Sequence, residues 1–176
     1  RVRRIVAPNK SDAAEWLGVM REAHELGFKT TATMMYGHVE SDGEIIEHLL
    51  RLRELQDATQ GFASFIPWSF KPGNSPLSKQ VTRGAHPAKY VRIIATARMM
   101  LDNFPHVQSS WFSESMQAGQ LGLLAGADDF GGVLIEEEVL KTAGHERRSN
   151  EDTVRTIIHR AGFTPVRRDS FYKLEA

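Results

Sequence analysis

The spacing of apolar and polar positions changes several times along the chain, and each change predicts a new element. Three stretches carry apolar residues at the three- and four-residue intervals of an amphipathic helix: 11–26, 42–57 and 87–103. Three short runs next to them are rich in β-branched and aromatic residues, as buried strands are: 30–36, 62–68 and 106–111. The pattern therefore predicts a repeating order of strand, loop and helix.

A fourth unit follows, because a short helix around Met116–Ala125 leads into a segment that begins a further strand at Ala127. Strands that alternate with helices favour a parallel sheet with right-handed crossovers. Such units fit either an open doubly wound sheet or half of a closed barrel, and the pattern alone leaves both open. No G-x-G-x-x-G follows a strand, so the dinucleotide-binding sheet has little support and we expect the barrel.

The last part of the chain departs from this order. A glycine-containing linker follows Glu138, and a helix at Glu151–Ala161 leads into an extended segment, Thr164–Arg168. We therefore expect two parts: residues 1–140 form about four β/α units, and residues 141–176 form a C-terminal helix and tail that pack on them.

The composition, with 41% hydrophobic and 25% charged residues in 176, predicts a soluble globular domain with one core. The 22 basic residues balance the 22 acidic ones, so charge gives no reason to expect nucleic acid or an anionic membrane as a partner. No run of 18 apolar residues is present, and the first residues, Arg1–Arg4, lack the apolar segment of a secretory signal. We expect a cytoplasmic chain without a membrane span.

Polar and aromatic residues follow each predicted strand. The active site of a (β/α)8 barrel lies at the C-terminal ends of its strands, so these residues are the candidates for a site. They are Tyr36, His38, Glu40, Trp68, Ser69, Gln108, Ser110, Trp111 and Asp128. Their repeated position after the strands, more than any one of them, predicts a site at that end.

His38 and Glu40 are the first candidates for chemistry, as an acid–base pair or as two metal ligands. Loop capping for His38, and a place near a helix N-terminus for Glu40, are the alternatives. Asp128 and Asp129 are adjacent, so they face opposite sides of a strand and are poor partners for one metal ion. A single inward carboxylate that binds a ribose or amino group is the better interpretation, and we expect no metal site.

The chain contains no cysteine, which excludes disulfides, thiolate nucleophiles and any cysteine-bound zinc or iron–sulfur site within these residues. It begins with Arg1 and enters at once what the pattern indicates is a connecting segment. We expect an incomplete sequence.

Several strings resemble those of the radical S-adenosylmethionine enzymes of menaquinone biosynthesis by the futalosine route. The matching segments are Thr31–Glu40, Leu52–Asp57, Phe65–Phe70, Leu101–Trp111 and Gly126–Gly132. The resemblance covers nearly the whole chain. Two members share these strings, dehypoxanthine futalosine cyclase and aminofutalosine synthase, and residues 67–70 and 108–112 are more similar to the cyclase.

The resemblance implies the C-terminal half of a radical S-adenosylmethionine-type (β/α)8 TIM barrel, of the α/β class. It implies a 4Fe–4S cluster and S-adenosylmethionine as cofactors, an external electron donor, and a missing N-terminal half-barrel that carries the cluster-binding cysteines. The reaction implied is abstraction of a ribose hydrogen from dehypoxanthine futalosine, after which the carbon radical closes onto the aromatic ring.

The strand-end residues take three roles by this resemblance: Tyr36, Trp68 and Ser69 bind cofactor, Gln108, Ser110, Trp111 and Asp128 bind substrate, and His38 and Glu40 make polar or proton-transfer contacts. Without cysteines, the chain alone is expected to be inactive. A non-catalytic protein built from a degenerate barrel is the alternative of a different class.

Overall fold

Parallel strands form the sheet of this protein. The computed structural model describes residues 1–133 and 149–175. Its strands are β1 (Thr30–Tyr36), β2 (Phe62–Ser69) and β3 (His106–Val107). The sheet order is β1–β2–β3, and both neighbouring pairs are parallel, so the predicted α/β class with parallel strands is confirmed.

β3 is shorter than the sequence pattern predicts. Beyond Val107 the pairing continues only as an isolated parallel bridge between Gln108 and Asp129. The backbone N–H of Trp111 donates to the carbonyl of Ser109 at 3.1 Å, which turns the chain out of the sheet. Within the described residues the predicted fourth strand is reduced to that bridge, and residues 134–148 lie outside them.

The described helices are α1 (Val2–Val6), α2 (Ala13–Glu25), α3 (Asp42–Thr59), α4 (Pro87–Met100), α5 (Met116–Leu124) and α6 (Glu151–Arg160), with a 3₁₀ turn at Pro76–Lys79. Reciprocal capping boxes, Asp12 with Glu15 and Ser41 with Glu44, fix where α2 and α3 begin. All but α1 were predicted. None of these helices is both long and apolar enough to cross a membrane.

The core lies between the sheet and the helices. Ala32, Met34 and Tyr36 alternate along β1 on the buried face, which packs into one apolar cluster with the helices. The opposite face of β1 is open, since Thr31 and Thr33 are exposed. A sheet covered by helices on one face only is the arrangement of part of a (β/α) barrel, whose other face points into the barrel.

The C-terminal segment packs back on this unit. Val154 of α6 belongs to the core, and the side-chain amide of Gln120 in α5 donates to the carbonyl of Ile157 at 3.3 Å. After α6 the chain folds into a hairpin with an antiparallel bridge between Arg168 and Leu174. The predicted boundary between residues 140 and 141 lies outside the described residues.

Candidate active site

The ends of the first two strands lie side by side. The register places Met35 opposite Trp68 and Tyr36 opposite Ser69. The chain after β3 reaches the same region, because Glu114 accepts a hydrogen bond from the backbone N–H of Ser69 at 2.8 Å. Residues from all three strand ends are therefore brought together, as expected for parallel strands.

His38 and Glu40 form a buried network in the loop after β1. Their side chains are only 4% and 6% exposed, with His38 Nδ1 2.8 Å from Glu40 Oε2. Glu40 also accepts hydrogen bonds from the backbone N–H groups of Gly37 (2.7 Å) and His38 (2.8 Å), and from Lys89 Nζ of α4 (2.9 Å). Every described bond of this carboxylate therefore orders the loop or joins it to α4.

Electrostatics keep Glu40 ionised. Burial alone would raise the pKa of its carboxyl, but hydrogen bonds from His38, Lys89 and the loop backbone outweigh burial and hold the pKa well below its ordinary value. His38 is engaged on its other side as well, since its Nε2 donates to the carbonyl of Met35 at 3.0 Å. The structure thus places both predicted residues at a strand end, in contacts that order the loop.

A second buried carboxylate, Glu114, was missed by sequence reasoning. Its side chain is 5% exposed, and besides Ser69 it accepts from Ser113 Oγ at 3.1 Å. Lys71 Nζ lies 3.8 Å from Glu114 Oε2 and donates to Ser69 Oγ at 2.6 Å. Glu114 stands in a loop without a recognisable motif, so only its three-dimensional neighbours identify it.

Tyr36 adjoins this second carboxylate. Burial, followed by the negative charge of Glu114, raises the pKa of Tyr36 far above its ordinary value and keeps the phenol neutral. Glu114 and Ser69 are close enough to influence its ionisation, but its hydroxyl makes no well-aligned hydrogen bond with the described residues. The strand end therefore holds a buried, protonated phenol that has no well-aligned hydrogen-bond partner among the described residues.

Tyr36 is one of four such groups near the strand ends. The buried atoms without a hydrogen-bond partner among the described residues include Tyr36 Oη, Trp68 Nε1, Ser110 Oγ and Trp111 Nε1. Leaving a buried polar group unpaired costs about 1–3 kcal/mol, so natural proteins rarely gather several of them without a use. Tyr36 belongs to the core between the sheet and the helices, so Trp68, Ser110 and Trp111 are the members of this set that fit the wall of a site that hydrogen-bonds a polar ligand.

Asp128 is not brought together with these groups. Its carboxylate binds Arg98 (2.5 Å), His106 Nδ1 (2.7 Å) and the backbone N–H of Val107 (2.8 Å), where β3 begins. Gln108 instead lies one residue beyond β3 and is 8% exposed. Its bridge partner is Asp129, so Asp129 is the carboxylate that shares the inner face with Gln108.

The residues present do not fit an iron–sulfur cluster. The sequence has no cysteine, and in the described ranges 1–133 and 149–175 no three His, Asp or Glu side chains are grouped to hold a metal ion. The unpaired donors at the strand ends are instead suited to an organic ligand.

Comparison with known proteins decides the family. A family model described as the CofH/MqnC C-terminal region matches residues 59–176. The chain belongs to the CofH/MqnC family. The resemblance seen in the sequence is thereby confirmed, and the family match extends through the C-terminal hairpin.

Curated proteins similar to this CofH/MqnC chain include enzymes with three different names. It is 41% identical over 173 residues to cyclic dehypoxanthine futalosine synthase of Streptomyces coelicolor, covering 98% of the chain and 43% of that protein. It is 41% identical over 177 residues to aminodeoxyfutalosine synthase of Thermus thermophilus, covering 98% and 48%.

The third name was not among the sequence-based expectations. The chain is 45% identical over 145 residues to 5-amino-6-(D-ribitylamino)uracil–L-tyrosine 4-hydroxyphenyl transferase of Methanoculleus marisnigri, covering 81% of the chain and 40% of that protein. The chain spans less than half the length of each of these relatives.

Proposed function

We propose that this chain forms the C-terminal half of the barrel of a radical S-adenosylmethionine enzyme, and that this enzyme cyclises dehypoxanthine futalosine in menaquinone biosynthesis. The observation that carries the proposal is the alignment of 98% of the chain with a cyclic dehypoxanthine futalosine synthase, which accompanies polar and aromatic residues brought together at the strand ends. The strings at 67–70 and 108–112, which resemble the cyclase, support this choice over aminofutalosine synthase.

The cofactors require residues beyond this chain. S-adenosylmethionine bound to a 4Fe–4S cluster supplies a 5′-deoxyadenosyl radical in such enzymes, with electrons from an external donor. This chain has no cysteine to bind the iron, so the cluster ligands belong to another segment. Its own residues bind, orient and shield the small-molecule substrate.

Hydrogen-bond donors are this chain's main contribution to that binding. An indole N–H can only donate, so Trp68 and Trp111 suit acceptor oxygens of a ligand, and the Ser110 hydroxyl can either donate or accept. The neutral Tyr36 phenol lies in the core beside Glu114 and supports the end of β1 from the helix side. The aromatic rings also exclude water, which protects a radical from side reactions.

Glu40 and His38 have a positioning role in this proposal. A carboxylate whose pKa is held far below neutrality is a weak base, so Glu40 is poorly matched to proton transfer at neutral pH. Its bonds to the loop backbone and to Lys89 instead hold the end of β1 against α4. We place the substrate contacts at Trp68, Gln108, Ser110 and Trp111, and leave Asp128 out because its carboxylate is already bound near the start of β3.

The test of this proposal uses a fusion protein that supplies the part of the enzyme not contained in this chain. The part of the Streptomyces coelicolor synthase that precedes its matched region is joined to this chain, and we refer to the product as the completed enzyme. After anaerobic cluster assembly it is given dehypoxanthine futalosine, S-adenosylmethionine and a reductant. We expect cyclic dehypoxanthine futalosine and 5′-deoxyadenosine.

The matched control joins the corresponding part of the Thermus thermophilus aminodeoxyfutalosine synthase to the same chain. The proposal fails if this control makes the product of its parent enzyme while the completed enzyme leaves dehypoxanthine futalosine unchanged. Because the chain is 41% identical to both parent enzymes, overall sequence similarity favours neither fusion.

A further inference from the structure

Within the described residues, part of the open face of the sheet is covered. Thr31 and Thr33 of β1 are exposed on this face, but Ser64, directly opposite Thr31 in the register, is fully buried. The cover over β2 is Tyr172 of the C-terminal hairpin. Burial raises the pKa of Tyr172, although the Ser64 hydroxyl beside it acts in the opposite direction.

Tyr172 is held there in a three-layer stack. Its ring lies parallel to the imidazole of His106, with centroids 4.3 Å apart and an interplanar angle of 8°. The guanidinium of Arg168 lies 4.0 Å above the other face of the ring. Arg168 in turn binds Asp129, only 7% of whose side chain is exposed, at 2.6 Å. A cation over an aromatic face and a buried charged pair both favour this one arrangement.

The hairpin is shaped to present this residue. The carboxylate of Asp169 accepts from the backbone N–H groups of Phe171 (2.8 Å) and Lys173 (2.9 Å), which closes the turn. Tyr172 itself has a positive φ of 62°, a conformation that a bulky residue adopts only when its surroundings require it. Phe171 next to it is 86% exposed.

The stack lies on the inner face of the sheet, nearer to the beginning of the strands than the proposed site. His106 is opposite Ser64 near the beginning of the strands, whereas Trp68 stands four residues further along β2. At roughly 3.3 Å per residue, the ring of Tyr172 lies about 13 Å below the level of Trp68. The hairpin therefore lies near the beginning of β2 and β3, at the end of the sheet away from the proposed site.

Arg168 also connects the hairpin to the site. Asp129, which it binds, accepts from the backbone N–H of Gly131 at 2.5 Å and is the bridge partner of Gln108. Gly131 has a positive φ of 73°, and a Cβ there would come within 2.9 Å of the Gln108 side-chain amide. The bond from Arg168 to Asp129 thus fixes the turn on which Gln108 packs.

We propose that residues 165–175, which we call the floor, cover the substrate cavity at the end of the sheet where the strands begin. Tyr172 is a positioning residue that excludes water at this end and, with Arg168, fixes Gln108. The floor rests on the proposed function for its role, because a chamber that shelters a radical must exclude water from both ends. Without this seal, water would reach the bound substrate, and less of the substrate would be converted to product.

The test compares three variants of the completed enzyme. Tyr172→Ala removes the stack, Tyr172→Phe keeps the ring and loses only the hydroxyl, and Phe171→Ala changes the exposed neighbour in the same hairpin. The quantity measured is the amount of 5′-deoxyadenosine released per cyclised product, together with KM for the substrate.

We expect Tyr172→Ala to raise that ratio several-fold and to raise KM, while Tyr172→Phe and Phe171→Ala stay near the unchanged enzyme. A purely structural role would lower the yield of folded enzyme and its thermal midpoint without changing the ratio, and that result would overturn the floor.

A second measurement separates failure of the floor from failure of the proposed function. If the unchanged enzyme makes neither 5′-deoxyadenosine nor cyclic product, the proposed function is wrong. The floor is then decided by carbethoxylation of His106, read by peptide mass spectrometry. Faster modification of His106 in Tyr172→Ala than in Phe171→Ala supports the floor, and equal rates refute it.

Discussion

At the scale of single residues, two buried carboxylates organise the strand ends. Glu40 gathers the loop after β1 and Lys89 of α4, while Glu114 joins the end of β2 to the loop that precedes α5. Each is almost fully buried and accepts hydrogen bonds from both backbone N–H groups and side chains, which is how a charged carboxylate is tolerated in an interior.

The sequence identified one of these two carboxylates, Glu40, as a candidate and missed the other, Glu114. Glu40 was identified because it follows a buried strand and a glycine. Glu114 follows no pattern, and its partner Ser69 lies 45 positions earlier, so its burial and bonding depend on tertiary packing. For the same reason Tyr172 was missed, because its partner His106 is far away in the sequence.

His48 gives a prediction at this scale. Burial, followed by the charge of Arg3, lowers the pKa of His48 to about 4, and its Nε2 is buried without a partner among the described residues. An unfolded histidine titrates near pH 6.5, so between about pH 6.5 and 4 the unfolded chain binds the extra proton. The contribution of His48 to the free energy of unfolding is therefore fully present above pH 6.5. It is lost as the pH falls toward 4, by up to about 3 kcal/mol.

The measurement is the thermal midpoint of the completed enzyme against pH. His48→Leu should flatten the fall between pH 6.5 and 4, leaving the smaller part due to His24, whose pKa burial also lowers. His159→Leu, on the exposed side of α6, is the matched control. An unchanged slope in His48→Leu would contradict the account.

At the scale of elements, the loops at the strand ends are held against one another by close backbone approach. Gly37 has a positive φ of 82°, and a Cβ there would lie 2.7 Å from Cβ of Ala85, in the segment before α4. The loop after β1 can therefore contact this segment only if residue 37 is glycine.

Gly37→Ala should lower the stability of the completed enzyme by about 1–3 kcal/mol and weaken substrate binding, since both the strained φ and the contact must change. Gly18→Ala is its control, because Gly18 lies in α2 with no atom within 4 Å of a new Cβ. That change should stabilise α2 by about 0.5–1 kcal/mol. Chemical unfolding measures both, and equal effects of the two changes would refute this account of the loop.

The elements themselves were largely readable from the sequence. The period of apolar residues and the capping residues gave α2 to α6, and β-branched residues gave β1 and β2. The strand predicted at 106–111 ended early because Ser109 and Ser110 use their backbone groups in a turn and in a bond to Tyr90. α1 is a single short turn of helix without a side-chain cap, so no sequence signal marks it.

At the scale of the whole molecule, the described unit has an unpaired strand edge at β1 and an open inner face. Thr31 and Thr33 of β1 are exposed on that face, and the relatives are more than twice as long as the aligned part. An exposed edge of this kind readily pairs with another chain.

The isolated chain should therefore self-associate. We expect light scattering coupled to size exclusion to give a dimer or larger species, and Thr33→Lys, which places a charge on the open face, to shift it toward monomer. The completed enzyme, with the edge covered, is the control. A monomer with a sharp, reversible and concentration-independent melt would contradict the prediction.

The central claim is that a radical made in the completed enzyme reaches a substrate held at these strand ends. Dehypoxanthine futalosine deuterated on the ribose tests it directly, with the 5′-deoxyadenosine examined by mass spectrometry. The account predicts that deuterium appears in 5′-deoxyadenosine as cyclic product forms, and that Trp68→Ala and Ser110→Ala reduce this transfer. Release of 5′-deoxyadenosine without deuterium and without cyclic product would contradict it.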